Sequence, residues 1–277
     1  MLGELKTVND RFISLIKELD GVRAAWYFGS NMRGLSDEYS DVDIVILADK
    51  TAYDKTDKHL TEMLASVCSE VILCWGEEFN GEAMKNYDYI LSLDGKIFQY
   101  DIFLLNSGFI DDYMCRLHYT GLTEENIIFS KDNAAEELIG KAPKGKPWQA
   151  DIKRLAETYW LNVQMSVKYF IRRDFFKLNK IFRTLMDIHA SLLLAEYDET
   201  DWGGMESKLK YIPAEKQTHL MKYGCTEDFE LMKKNLKWSA DHFENDTDEI
   251  MPDCCGNAAK TIKKYFKDSL LLNREDI

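Results

Sequence analysis

Hydrophobic and polar positions follow two different rhythms along this 277-residue chain, and the change of rhythm divides it. Up to about residue 140, short apolar runs alternate with polar turns and with stretches of helical spacing. Val8, Phe12, Leu15, Ile16 and Leu19 recur at helical spacing over residues 8 to 19, and Asp20-Gly21 ends that run. Ala24 to Phe28 forms a first apolar strand, and Ile44 to Leu47 forms a second, entered through Asp41-Val42-Asp43. Residues 52 to 66 place Leu60, Met63 and Leu64 on one side of a helix, and Val71 to Trp75 reads as a third strand. Residues 87 to 93 and 96 to 105 are two strand-like runs around Asp94-Gly95, a dipeptide that favours a two-residue hairpin turn. Gly108 to Tyr119 reads as helix, Asn126 to Ser130 as a last strand, and Asn133 to Ile139 as a short helix.

Lys141 to Pro147 holds two prolines and a glycine in seven residues, the composition of a linker. Beyond it the spacing is helical only. Ile152, Leu155, Ala156, Tyr159, Trp160, Val163, Val167, Phe170 and Ile171 keep one face apolar over about six turns. After Arg173-Asp174 a second helix carries Leu178, Ile181, Phe182, Leu185, His189, Leu192 and Leu193. His189, on that apolar face, reads as a hydrogen-bonded core histidine. Trp202-Gly203-Gly204 breaks the pattern, and helices follow over 214 to 223, 227 to 244 and 257 to 272. The expected architecture is α+β: a mixed β-sheet with flanking helices over residues 1–147, then an all-α bundle over 148–277.

The candidate chemistry is concentrated between Trp26 and Leu47. Side chains alternate across a strand, so Asp41 and Asp43 project from one face while Val42 and Ile44 point the other way. Like charges held this close repel unless a cation lies between them. Hard carboxylate oxygens suit Mg²⁺, which completes its shell with water and nucleotide phosphates. Gly29 permits a sharp turn and close approach to a ligand, and Ser30 adds a hydroxyl beside the exposed amides of the next segment, so the turn can hold a phosphate. A solvated turn with an edge strand is the bland alternative. Four consecutive apolar residues, Ile44 to Leu47, disfavour it, because they read as buried on both faces.

Counting outward from a two-residue turn pairs Leu93 with Lys96 and Asp88 with Asp101. Facing acids repel, so the expectation is that the hairpin loses register before that point; the alternative is that Asp88 joins the acidic site.

Composition narrows the function. Net charge is −13, and it is uneven: residues 1 to 147 carry 15 Lys+Arg against 26 Asp+Glu, a net −11, while residues 148 to 277 carry 20 against 22, a net −2. Long nucleic acid calls for a basic surface, so a polymerase or RNA-tailing role is disfavoured; a small cationic substrate would be attracted, and the alternative is that the acidity only aids solubility. No stretch approaches the roughly 20 apolar residues of a membrane span. The N-terminus lacks a signal peptide's features, and a cytoplasmic protein is expected. The six cysteines show no C-x-x-C spacing and read as reduced thiols rather than zinc ligands.

Phe28-Gly29-Ser30, ten residues, then Asp41-Val42-Asp43 resembles the signature of the DNA polymerase beta superfamily of nucleotidyltransferases. Arg33-Gly34 and Ser40 fall where the small-molecule branch commonly carries Arg-Gly and a Ser before the first acid. Asp101, in a mostly apolar strand, stands where that superfamily places its third carboxylate. A catalytic α/β unit followed by helices is the arrangement of the antibiotic nucleotidyltransferases. Tyr159-Trp160 with Arg172-Arg173-Asp174 is similar to a pattern of the lincosamide and streptomycin-type aminoglycoside enzymes.

The resemblance implies transfer of a nucleoside monophosphate, most often from Mg²⁺-ATP, to a substrate hydroxyl, with release of pyrophosphate. Asp41, Asp43 and Asp101 would hold one or two Mg²⁺ ions, or Asp101 would act as general base. Gly29, Ser30 and Arg33 would hold the triphosphate, and the acceptor would lie in the cleft between the domains. Glu196, Asp198, Glu199 and Asp201 read as a solvated loop, although they could meet an amine-bearing substrate. The leading acceptors are an aminoglycoside or a lincosamide. A protein or another metabolite as acceptor, and a module that holds nucleotide without turnover, are the rival readings.

Overall fold

The computed structural model describes residues 3–29, 41–141, 146–147, 150–195, 198–199, 205–254 and 256–270. The chain divides into two compact units, Met1–Lys144 and Gly145–Ile277.

The first unit is built on a mixed sheet. Helix α1 (Gly3–Lys17) precedes β1 (Val22–Tyr27) and β2 (Val42–Ala48); α2 (Tyr53–Val67), β3 (Glu70–Gly76), β4 (Met84–Leu93), β5 (Lys96–Asn106), α3 (Tyr113–Leu117) and β6 (Ile127–Ser130) follow. Among the described residues the sheet runs β3-β4-β5-β2-β1-β6. Only β2 and β5 are parallel; β1 pairs antiparallel with β2 and β6, as β4 does with β3 and β5. The apolar run Ile44 to Leu47 therefore lies in an interior strand, with all four residues buried.

The two faces of the sheet carry different chemistry. On one, α1 and α2 lay Phe12, Ile16, Leu60 and Leu64 over Ile44, Ile46, Tyr100, Ile102 and Leu104. The Tyr100 hydroxyl donates to Asn9 Oδ1 at 2.7 Å, and Asn9 Nδ2 donates to the Tyr27 hydroxyl at 2.9 Å, which pins α1 across β5 and β1. Leu15 is 38% exposed, and Ile13 takes the buried place instead. On the other face, Phe28 and Phe103 pack on the His118 ring, at centroid distances of 5.3 and 4.7 Å. The Trp26 indole donates to the His118 carbonyl at 3.0 Å.

Residues 108 to 119 are less helical than their spacing implies. A 3₁₀ turn over Ser107–Phe109 is followed by the five-residue α3, capped by the Asp112 carboxylate on the Met114 amide. Residues 133 to 139 contain only the 3₁₀ turn Glu136–Leu138. Edge strand β3 exposes Ile72, Leu73 and Trp75.

The second unit comprises β7 (Lys146–Pro147), α4 (Ile152–Arg172), α5 (Phe175–Leu194), β8 (Asp198–Glu199), α6 (Met205–Lys208), α7 (Ala214–Leu220), α8 (Phe229–Ile250) and α9 (Gly256–Leu270). Asp198 and Glu199 pair with Pro147 and Lys146, so this part of the acidic stretch is a short strand rather than a loop. Glu196, Asp201 and Trp202-Gly203-Gly204 lie outside the described residues, as does the 142–145 part of the linker.

The Arg172-Arg173-Asp174 stretch makes the corner between α4 and α5. Arg173 adopts a left-handed conformation (φ +53°) that ends α4, and the Asp174 carboxylate caps the Lys177 amide at the start of α5. Tyr159 and Trp160 are core residues, and the Tyr159 ring stacks on Phe243 at 3.6 Å. Among the described residues no helix is long and apolar enough to cross a membrane.

Candidate active site

Parallel pairing of β2 with β5 decides where the acids meet. The register sets Asp43 against Asp101, while Val42 faces Tyr100 and Ile44 faces Ile102. Side chains directly opposite in a ladder point to the same face. Asp43 and Asp101 therefore share the face away from α1 and α2, and carboxylate oxygens of Asp41, Asp43 and Asp101 all lie within 4.8 Å of one another. Residues 41 and 101 are 60 positions apart in the chain, so only the sheet brings them together.

Gly29 belongs to the same place. Its φ is +58°, a region that favours glycine, and a Cβ built on it would stand 2.1 Å from Asp43 Oδ2. The Phe28 amide donates to the Asp43 carbonyl at 3.0 Å, which holds the end of β1 beside the start of β2. Ser30, Arg33, Gly34 and Ser40 lie outside the described residues.

The hairpin register corrects one expectation. Pairing runs without a break from Leu93↔Lys96 through Asp88↔Asp101 to Met84↔Leu105. Asp94 (φ +50°) and Gly95 (φ +80°) supply the two left-handed residues that a primed hairpin turn requires. The facing acids do not break the register: burial and the charges of Asp88 and Asp43 raise the Asp101 carboxyl, which keeps its proton near neutral pH, so the pair does not carry two full charges. Asp88 is thus a fourth carboxyl at the site. Its signal was present in the sequence, since the turn arithmetic already set it opposite Asp101.

Electrostatics follows from this crowding. Burial, then the charges of Asp88 and Asp43, push the Asp101 carboxyl up to about 8, partly offset by Gln99. Gln99 Nε2 donates to both Asp101 oxygens, at 3.2 and 3.1 Å, a partner that the sequence did not single out. Burial likewise raises Asp88, and its hydrogen bonds to Asp101 and Asn86 lower it. A carboxyl that holds its proton to about pH 8 beside two further carboxylates marks a locus of strongly negative potential, which a divalent cation would relieve. The donors are all hard oxygens, the set that suits Mg²⁺. The residues present fit such an ion.

Residues 10–114 match the family model described as a nucleotidyltransferase domain, a span that includes Gly29 and all four carboxyls. This part of the chain resembles a nucleotidyltransferase domain, and the match supports nucleotidyl transfer with a nucleoside triphosphate as donor. No curated protein matches the chain. Among solved structures it is similar to the crystal structure of an aminoglycoside 6-adenyltransferase from Bacillus subtilis, with 14% identity, 97% of this chain and 98% of that chain covered, and a TM-score of 0.37. Within the nucleotidyltransferase domain, the apolar half of the site-bearing face is closed by Phe28, Phe103 and His118, and the acids occupy the end of that face where β2 begins.

Proposed function

We propose that the protein transfers a nucleoside monophosphate, most simply AMP, from a Mg²⁺-bound triphosphate to a hydroxyl of a small molecule, with an aminoglycoside or lincosamide antibiotic as the acceptor class. The observation that carries this reading is the convergence of Asp41, Asp43 and Asp101 on one sheet face beside Gly29. Residues 1–147 would act as the catalytic domain and residues 148–277 as the substrate-binding one.

The acceptor oxygen forms a bond to the α-phosphorus, the bond from that phosphorus to the pyrophosphate oxygen breaks, and the hydroxyl proton leaves to a base. Asp41 and Asp43 would hold the metal, with Asp101 as the third carboxylate beside them. Bound Mg²⁺ would neutralise charge on the triphosphate and make the hydroxyl easier to ionise. Asp101, once a bound cation has displaced its proton, would take the hydroxyl proton, with Gln99 holding both its carboxylate oxygens. Asp88, which faces Asp101 across the hairpin, would offer a path for the proton away from the reacting centre. Gly29, Ser30 and Arg33 would hold the β- and γ-phosphates.

The test is pyrophosphate release from Mg²⁺-ATP with lincomycin, streptomycin and kanamycin supplied separately. Release with one drug, reduced by more than about 100-fold in Asp43→Asn, is the expected result, since loss of a metal ligand exceeds the 10–100-fold typical of its outer partners. Wild-type turnover retained in Asp43→Asn would remove the metal assignment. Asp101→Asn should lower kcat far more than it raises the KM for nucleotide; a selective rise in KM would make Asp101 a binding residue only.

A further inference from the structure

A second convergence of side chains lies in the helical unit, far in sequence from the nucleotidyltransferase domain. Asp246 on α8 sends its two carboxylate oxygens to different partners. Oδ1 accepts from Lys216 Nζ at 2.5 Å, and Lys216 also bonds Glu249. Oδ2 accepts from His189 Nε2 of α5 at 2.8 Å and from His219 Nδ1 of α7 at 2.7 Å. Two imidazole nitrogens and one carboxylate oxygen, from three helices, therefore meet at one point, and all three lie within 4.8 Å of one another. The His189 and Asp246 side chains are buried, with 0% and 2% exposed, and His219 is 13% exposed.

The other polar atoms of His189 and Asp246 are already engaged. His189 Nδ1 lies 2.9 Å from the Tyr223 hydroxyl, which is 2.8 Å from the Tyr159 hydroxyl, and Lys216 holds the second oxygen of Asp246. Metal-binding histidines and carboxylates are held in this manner, their remaining polar atoms fixed by outer partners that set tautomer and orientation. A cavity of about 100 Å³, lined in part by Leu193, Ile212, Lys216, Asp246 and Glu249, adjoins the carboxylate on the side of Lys216.

We propose that His189 Nε2, His219 Nδ1 and Asp246 Oδ2 form a binding site for a divalent transition-metal ion, with zinc as the ion best suited. Two imidazoles and one carboxylate are a zinc-type donor set, and nitrogen donors disfavour Mg²⁺ and Ca²⁺. The ion takes the place of the two N–H groups that now meet on Oδ2. Each imidazole then carries its proton on the other ring nitrogen: His189 donates from Nδ1 to the Tyr223 hydroxyl, which turns its own proton towards Tyr159. Glu249 offsets the charge of Lys216 beside the ion. Zinc would tie α5, α7 and α8 together, and α7, seven residues long, would gain most from the tether.

The experiment loads the full-length protein with zinc, removes unbound metal by gel filtration in Mg²⁺-containing buffer, and measures bound zinc by mass spectrometry. The expected result is about one zinc ion per chain, undiminished in Asp43→Asn and lost in both His219→Ala and the milder His219→Gln. Cobalt in place of zinc should give the visible absorption of a low-coordinate nitrogen and oxygen site. Zinc should raise the melting temperature of the wild type and of Asp43→Asn, but not of the His219 variants, whose folding is checked by circular dichroism. Wild-type protein that emerges without zinc overturns the proposal. So does zinc that survives in a folded His219 variant or departs in Asp43→Asn, or a near-ultraviolet cobalt–thiolate band showing that cysteine holds the metal.

Discussion

At the scale of single residues, Gly29 shows how a backbone position can govern a carboxylate. Its left-handed φ and its approach to Asp43 are two separate reasons for glycine, since a methyl group would meet the Asp43 carboxylate at 2.1 Å. Gly29→Ala should cost about 1–3 kcal/mol of stability and should also displace Asp43. Denaturant unfolding and turnover should therefore both fall, with turnover falling further than the lost stability accounts for. An alanine variant with wild-type turnover would show that the Asp43 position is not critical. The Gly-Ser dipeptide was visible in the sequence, but the reason for it was not. Nothing in the order of residues reveals that the glycine abuts an acid 14 positions later, because that proximity depends on β1 lying beside β2.

At the scale of elements, α3 and the strands beneath it share a buried histidine. His118 packs on Phe28 and Phe103, and its Nδ1 lies 2.7 Å from the Met114 carbonyl, to which the neutral ring donates. Burial lowers its proton affinity to about 4, partly opposed by that backbone bond. The sign follows from linkage. Between pH 6.5, where the unfolded chain begins to bind the proton, and about 4, where the folded protein does, the unfolded state holds more protons, so stability falls as pH falls. The loss amounts to about 3 kcal/mol across that window. His118→Phe should flatten the pH dependence of the melting temperature between pH 6.5 and 4; an unchanged slope would assign the acid sensitivity elsewhere. The strands and long helices of this protein were legible because their spacing is periodic. The 108–119 and 133–139 segments were not, because local apolar residues there serve contacts to the sheet rather than one continuous helix face. Hairpin register was legible to the residue from Asp94-Gly95, yet its outcome at Asp88 was misjudged: repulsion between two carboxyls falls when burial and neighbouring charge keep one of them protonated.

At the scale of the whole molecule, charge separates the two halves of the chain. Residues 1 to 147 carry a net −11 and include the four carboxyls of the site. Such a field attracts a cationic acceptor over distances set by the screening length, about 10 Å at 0.1 M salt. The kcat/KM for an aminoglycoside acceptor should fall as ionic strength rises, while that for a lincosamide, with fewer positive charges, should change less. Equal salt dependence for the two would remove any part for the acidic half in drawing in the acceptor.

The sequence by itself determined the division into α/β and helical portions, the paired acids at the mouth of β2, and the hairpin that carries Asp101. These rest on periodicity and turn chemistry, which act between near neighbours. Tertiary structure decided what no local rule reaches: that β5 runs parallel to β2 with Asp101 level with Asp43, that Asp88 therefore stands in the same row as Asp43, and that His189, His219 and Asp246 meet from three helices. Strand order and helix packing are set by how whole apolar faces bury one another. Residues far apart in the chain are brought within hydrogen-bonding distance only after that burial is complete.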